Sequence, residues 1–290
     1  MSAFDEIKTC FDRALARFEK RRPIRTLLNG DATAAQYCAI LREIYFHTRE
    51  NPQIQALATV RFRGDQRQNV KRFFQHATAE IGHDQLALND LQAMGQDVSM
   101  LPSLNPAPAT AGLTAYGFYT SWHLNPVAYL GYLFFLEFMP TSSGERYAKE
   151  LAKAGVPQEA MSFLLEHAHV DVAHNRLMMQ YINSLVWREE DIQSVKYAIR
   201  ATGDLYAAML DQAMFDEGGS EGWGCCAGRI LFSSKRLGRS LVVIRRVANG
   251  ADDCADDQHT IGGIKKPSRI DARRFSLFLR AQSALIHSII

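Results

Sequence analysis

Three residues of metal-ligand type share one face of a helix that the sequence predicts in the second half of the chain. At ~100° per residue, and with His167 as the origin, Asp171 lies at roughly 40° and His174 at roughly −20°. His169, at roughly 200°, points to the opposite side, and Glu166 lies well to one side. This i, i+4, i+7 spacing lets three side chains converge on one inward-facing ion site. A polar helix face with titrating histidines is the alternative, and this segment alone does not decide between the two.

A second helix, predicted over residues 67–94, carries His76, Glu80 and His83 at the same spacing. Glu80 and His83 form a Glu-x-x-His pair, which helical-bundle proteins use to place a carboxylate and an imidazole on one ion. The same pair also occurs by chance on solvated helix faces. For His76, one turn before Glu80, direct ligation, contact with a ligand and no role at all stay open.

A third helix contains an isolated carboxylate, Glu137, which is the sole charged residue between His123 and Pro140. Its neighbours are apolar, so the sequence predicts that it is buried. A buried carboxylate must protonate, find a partner or bind a cation, because burying it unpaired is costly. A salt bridge to an arginine is the alternative, but two other ligand-bearing helices favour a metal ion.

Together these helices predict one site made of three histidines and three carboxylates. Imidazole and carboxylate ligands suit iron or manganese, and the absence of thiolates argues against a structural zinc centre. Three carboxylates would offset most of the charge of two divalent ions, and one of them could bridge the pair. The predicted metal ligands, which would also be the catalytic residues, are Glu80, His83, Glu137, His167, Asp171 and His174.

The elements that position these residues are helices with short connections, which predicts an all-α bundle. Around eight helices and no convincing strand are expected before residue 217. Asp31 is the predicted N-cap of the second helix, and Pro140 should end or bend the helix of Glu137. The predicted helices cover residues 4–20, 31–49, a short stretch after Asn51-Pro52, 67–94, 111–122, 127–139, 142–153, 157–184 and 189–216.

Composition narrows the function classes. The 290 residues carry a net charge of only +2, which gives no electrostatic reason to expect nucleic acid or a membrane as partner. No apolar stretch reaches the ~18 residues of a membrane span, and the N-terminus lacks the pattern of a signal peptide. Five cysteines without CxxC spacing argue against a disulfide framework. A cytoplasmic protein is the expectation.

The character of the chain changes at Gly218, so residues 1–217 are predicted to form the helical di-metal domain and residues 218–290 a basic C-terminal extension. Residues 223–290 contain nine arginines and three lysines but only five aspartates and no glutamate. A partner-binding appendage and a poorly ordered extension are both open, and we assign this part of the chain no chemistry.

The order of these motifs resembles the haem-oxygenase-like di-metal oxidases, often called iron-containing redox enzymes. That order is Glu-x-x-His, an isolated Glu in an apolar helix, then His-x-x-x-Asp-x-x-His, and the likeness covers about residues 30–216. The six usual ligands of the family fall on the six residues given above. The resemblance implies a haem-oxygenase-like bundle of seven or eight helices holding two iron ions, Fe(II)/Fe(III), with manganese as the other option. It also implies an O2-dependent oxidase or oxygenase that acts on a small or medium organic substrate, fatty-acid or amino-acid-like, in secondary metabolism. An electron donor would be a further partner, and the sequence permits a homodimer.

Two alternatives stay open at this point. One is a metal-independent enzyme of the same fold, thiaminase-like or quinone-cofactor-forming. The other is a non-enzymatic bundle that binds a metal or a protein partner. Among the secondary residues, Glu43 and His47 are expected to form a solvated pair, with Glu43 as a seventh ligand or as a contact of the ligands as the alternative. Arg176 could hold a substrate carboxylate. Tyr132 lies about 140° from Glu137 around the helix, so it is not expected on the metal-binding face.

Overall fold

The computed structural model describes residues 2–216, except for the side chains of residues 167–175. The predicted extension over residues 218–290, and with it the predicted domain boundary, lies outside this part. Within it the chain forms ten α-helices, joined in places by short 3-10 turns, and no strand, so the predicted all-α class is confirmed. The helices are α1 Ala3–Phe18, α2 Arg22–Leu28, α3 Ala34–Thr48, α4 Asn51–Ala58, α5 Val70–Glu80, α6 His83–Ala93, α7 Pro108–Trp122, α8 Tyr129–Lys153, α9 Ser162–Leu185 and α10 Glu189–Phe215.

The start of the bundle differs from the prediction in two places. Residues 22–28, which lie between the helices predicted over 4–20 and 31–49, form α2, with Pro23 in its first turn, where a missing N–H costs nothing. The N-cap of α3 is Thr33 rather than Asp31. Its hydroxyl accepts a hydrogen bond from the Gln36 backbone amide, and the Gln36 side-chain oxygen accepts one from the Thr33 backbone amide.

The helix predicted over residues 67–94 is two helices, α5 and α6. Ile81 has an extended backbone conformation, and Gly82 has a φ of 101°, in the left-handed region that glycine occupies without steric strain. A break at this glycine was not expected from the continuous apolar periodicity. It matters because it falls between Glu80 and His83.

Pro140, in contrast, does not end its helix, and the two segments predicted on either side of it form the single helix α8. Proline cannot donate to the carbonyl four residues before it. The hydroxyls of Thr141 and Ser142 both donate to the Phe138 carbonyl at this point of the helix. The helix therefore continues through Pro140 with added side-chain hydrogen bonds around it.

Helix α8 is central in the bundle, where it packs against α1, α9 and α10. Gly131 allows the close approach to α10, because a Cβ atom there would lie 2.2 Å from the Val195 carbonyl oxygen. One turn later, Phe135 packs against Gly203 of α10 and edge-on against Phe11 of α1. This packing fixes the position of the middle of α8, which carries Glu137.

The start of α9 is held by a buried carboxylate of α6. Asp90 accepts hydrogen bonds from the backbone amide and the hydroxyl of Ser162 and from the amide of Phe163. These are amides of the first helical turn, which have no partner within the helix. Asp90 thereby ties the helix of His167 to the one that begins at His83. No helix in residues 2–216 is long and apolar enough to cross a lipid bilayer.

Candidate metal centre

Three ligand-type residues come together between α5 and α8, in the interior of the bundle. His76, Glu80 and Glu137 are each less than a tenth exposed, and one ligand atom from each lies within 4.8 Å of the other two. His76 Nε2 is 3.2 Å from a Glu137 carboxylate oxygen and 3.6 Å from a Glu80 carboxylate oxygen. The predicted ligands Glu80 and Glu137 therefore share one buried site, and His76 lies between them.

His83 joins the same cluster from the other side of the Gly82 break. Its Nδ1 atom is 3.2 Å from the second carboxylate oxygen of Glu80. Glu80 is the last residue of α5 and His83 the first of α6, so the Glu-x-x-His pair forms across a helix break. The predicted pairing of these two side chains holds, although the predicted continuous helix does not.

The protonation states of the cluster depend on the interactions between its buried histidines and carboxylates. Burial would lower the pKa of His76, but its hydrogen bonds to Glu137 and Glu80 and their charges raise it to about 10. Burial would likewise lower the pKa of His83, but the charge of Glu80 raises it. Burial would raise the pKa of Glu80, yet the charge of His83 and hydrogen bonds from both histidines hold it well below its usual range. In the metal-free cluster Glu80 is thus a carboxylate and His76 an imidazolium at neutral pH.

The other three predicted ligands, His167, Asp171 and His174, lie on α9, as does His169. The backbone of α9 is helical from Ser162 to Leu185, as the i, i+4, i+7 spacing requires. The side chains of residues 167–175 lie outside the described residues, so their convergence with Glu80, His83 and Glu137 stays a prediction.

A cavity adjoins the cluster, and Glu80 and Glu137 form part of its wall. Tyr132 also lines this cavity. Its hydroxyl is 2.7 Å from His47 Nε2. Burial lowers the pKa of His47 to about 4, which keeps this imidazole neutral. The predicted solvated pair of His47 with Glu43 is therefore wrong, because both residues are buried and point to different partners.

Glu43 has a structural role away from the cluster. Its carboxylate accepts hydrogen bonds from the Ala107 amide, the Thr110 hydroxyl and the Arg42 guanidinium. These contacts fix the start of α7 against α3. Arg176, which was considered as a partner for a substrate carboxylate, has an exposed side chain.

The residues of the cluster fit a divalent iron or manganese ion. They offer imidazole nitrogen and carboxylate oxygen, the ligand types that these ions take. They also lie close together and out of water without a lysine or arginine among them. His76 was the ligand candidate that the sequence left open, and its signal was its position one turn before Glu80 on the same stripe.

Comparison with known proteins agrees with this architecture. A family model described as "iron-containing redox enzyme" matches residues 38–207. A domain of unknown function with a heme oxygenase-like fold from Shewanella denitrificans OS217 superposes with a TM-score of 0.65 at 27% identity, covering 77% of this chain and 94% of that one. A TenA homologue from Pseudomonas syringae pv. tomato DC3000 gives a TM-score of 0.59 at 14% identity, covering 73% and 95%. A TenA homologue from P. horikoshii OT3 gives 0.60 at 9% identity, covering 74% and 99%.

A search of curated proteins finds no match. The predicted haem-oxygenase-like bundle is confirmed by the solved structures, and the family model covers more than half of the chain. This chain belongs to the iron-containing redox enzyme family.

Proposed function

We propose that this protein is an iron-dependent, O2-activating oxidase or oxygenase with a dinuclear iron site. The observation that carries the proposal is the buried cluster of His76, Glu80 and Glu137, with His83 beside it. An interior that contains two carboxylates and two imidazoles within contact distance is costly unless a cation compensates it. The proposed ligands are the six predicted residues, with His76 as a further ligand or as the hydrogen-bond partner of Glu137.

The helical register of α9 supports a contribution from this helix to the same site. Phe163 and Tyr181 both lie at roughly −40° from His167 on the 100° scale, so along the helix they precede and follow the predicted ligands on nearly the same face. Phe163 lines the cavity next to Glu80 and Glu137. The Tyr181 ring stacks against His76, with 6.3 Å between ring centroids. Both ends of the stripe therefore border the cluster, and the stretch between them is where the proposal places the α9 ligands.

Bound iron would supply the electrons and the coordination positions that O2 activation requires. The chain contributes the environment. Apolar side chains of α8, among them Leu133 and Leu136, line the cavity beside the carboxylates and limit the access of water. The neutral His47 and the Tyr132 hydroxyl form a hydrogen-bonded pair on the same wall, which can hold a proton at His47 Nε2 or at the tyrosine oxygen.

The proposed substrate is a small or medium organic molecule, fatty-acid or amino-acid-like, that enters the cavity beside the cluster. O2 would be the second substrate, and an electron donor would be a further partner. A role in secondary metabolism is part of the proposal. A metal-independent enzyme of the same fold, thiaminase-like or quinone-cofactor-forming, is the second candidate, and the likeness to TenA homologues supports it at the level of the fold alone.

Iron content and O2 consumption test the proposal. Full-length protein loaded with Fe(II) without oxygen should hold two iron ions per chain and consume O2 on exposure to air. Glu137→Gln preserves the size of the side chain and removes a proposed ligand, so bound iron should fall below one ion per chain and the O2 uptake rate should fall ~100-fold or more. Glu145→Gln, an exposed position two turns later on α8, is the matched control and should behave as the unmodified protein.

Less than one iron ion per chain in the unmodified protein, together with no Fe(II)-dependent O2 uptake, would overturn the proposal. Full iron content in Glu137→Gln would overturn the assignment of that ligand. An activity that survives both metal removal and Asp171→Ala would favour the metal-independent enzyme.

A further inference from the structure

The cavity next to the cluster contains a buried amide whose hydrogen-bonding groups are unused. Gln55, on α4, has no exposed surface, and neither its Nε2 nor its Oε1 atom has a hydrogen-bond partner among the described residues. It lines the same cavity as Glu80 and Glu137. A buried polar group without a partner is destabilising, so such a group at a cavity wall indicates a site where a ligand supplies the partners.

Asn51 extends this polar surface by one helical turn. It lies four residues before Gln55, on the same face of α4, and it lines the same cavity. Its Oδ1 atom is buried and also lacks a hydrogen-bond partner. The two amides together leave two acceptor oxygens and one NH2 donor group unused. The complementary ligand group has N–H donors beside a single acceptor oxygen, which is the pattern of a primary carboxamide.

The charges at the cavity favour a neutral polar group over a carboxylate. Among the described residues, neither lysine nor arginine lines it, while Glu80 and Glu137 do. The undescribed side chains of residues 167–175 include no lysine or arginine either. A carboxylate at Gln55 would face the amide oxygen and add a negative charge to a wall that already contains Glu80 and Glu137. An ammonium group would have no partner for the Gln55 NH2.

A second cavity adjoins the first and is almost entirely apolar. The two share the wall residues Met139, Pro140, Phe163 and Tyr206. The remaining wall of the second cavity is made mainly of aliphatic and aromatic side chains of α2, α3 and α10, among them Ile24, Ile40, Leu41 and Leu210. An apolar chain that extends from a polar group at Gln55 would pass between these shared side chains to reach the second cavity.

We propose that the ligand of this site is a neutral amphiphile, with a primary carboxamide bound by Gln55 and Asn51 and an apolar chain in the adjoining cavity. The carboxamide NH2 donates to Gln55 Oε1 and Asn51 Oδ1, and its oxygen accepts from Gln55 Nε2. That this ligand is also the substrate rests on the proposed function. The binding itself does not require the metal.

Three eight-carbon probes that differ in one end group test the inference: octanamide, octanoate and octylamine. Their binding to the full-length protein is measured by calorimetry, both metal-free and loaded anaerobically with Fe(II). Octanamide should bind at least tenfold more tightly than either charged probe, since it alone satisfies both amides. Gln55→Leu should weaken octanamide about tenfold and abolish the preference. Gln53→Leu, on the exposed side of α4, is the control and should keep it.

Gln55→Glu tests the inference by a change of the preferred probe rather than by a loss of binding. A carboxylate at this position accepts but does not donate, so the preference should shift from octanamide to octylamine by at least tenfold. Equal affinity for the three probes, preferred binding of octanoate, or a preference unchanged in both Gln55 variants would overturn the inference. Octanamide binding to a protein that holds less than one iron ion per chain and shows no Fe(II)-dependent O2 uptake would refute the proposed function alone. O2 uptake without an amide preference would refute this inference alone.

Discussion

Binding of a divalent ion through His76 should release at least one proton per chain at neutral pH. The pKa of His76 is raised to about 10 in the metal-free protein, so this imidazole is protonated at pH 7. A metal ion binds the deprotonated nitrogen. Removing that proton at pH 7 costs about 4 kcal/mol, the equivalent of about three pH units. Because metal and proton compete, the metal affinity should rise about tenfold per pH unit through neutral pH and level off near pH 10.

Calorimetry with Mn(II), which does not oxidise under these conditions, measures this proton release. Titrations at one pH in phosphate and in Tris, whose ionisation enthalpies differ, give the number of protons released per ion bound. At least one proton per chain is expected at pH 7. His76→Gln removes the titrating group, so the number should fall by about one, while Glu145→Gln should leave it unchanged.

Two results would refute the reasoning. The first is metal binding with no proton release and an affinity that is flat between pH 6.5 and 8.5. That result would mean that His76 keeps its proton and only contacts a carboxylate ligand. The second is the same proton count in His76→Gln as in the unmodified protein, which would assign the released proton to another histidine.

Three further predictions concern stability. The pKa of His47 is lowered to about 4 in the folded protein, so the free energy of unfolding should fall by about 3 kcal/mol between pH 6.5 and pH 4, because the unfolded chain takes up the proton first. Urea unfolding should show this loss in the unmodified protein and not in His47→Gln. Equal losses in both proteins would contradict the prediction. Gly131→Ala should lower the free energy of unfolding by about 1–3 kcal/mol, since the new Cβ would clash with the Val195 carbonyl oxygen. Gly112→Ala should raise it by about 0.5–1 kcal/mol, because Gly112 has open space around it. Thermal unfolding of both variants measures the two changes. Asp90→Ala should lower the free energy of unfolding by about 1–2 kcal/mol. Amide hydrogen exchange should become faster in the first turn of α9 and stay unchanged in the first turn of α10. Unchanged exchange in α9 would show that the Asp90 cap is dispensable.

The fold class and part of the site could be predicted because both depend on spacing along helices. Apolar periodicity indicated the bundle, and the Glu-x-x-His pair with an isolated Glu137 indicated three members of the buried cluster. The break at Gly82 could not be predicted, because an isolated glycine costs a helix only about 1 kcal/mol and tertiary packing decides whether the helix continues. Tertiary packing also decides the case of Pro140, where the helix continues although the local residue favours a break. Neighbouring helices hold the two halves of α8 in line. Gln55 gave no signal, because an amide on a short helix looks solvated until the surrounding helices bury it.

The place of His76 explains how the bundle can contain two buried carboxylates without a metal ion. The Glu80 and Glu137 carboxylates approach His76 from two helices, and their charges keep the imidazole protonated. The imidazolium thus provides the positive charge that a divalent ion would bring, with half its magnitude. Metal binding then replaces one cation by another of higher charge rather than adding charge to a neutral interior. The same exchange makes the proton release measurable, and it predicts that His76→Phe, which removes the cation and keeps the ring, should destabilise the metal-free protein more than the metal-loaded one.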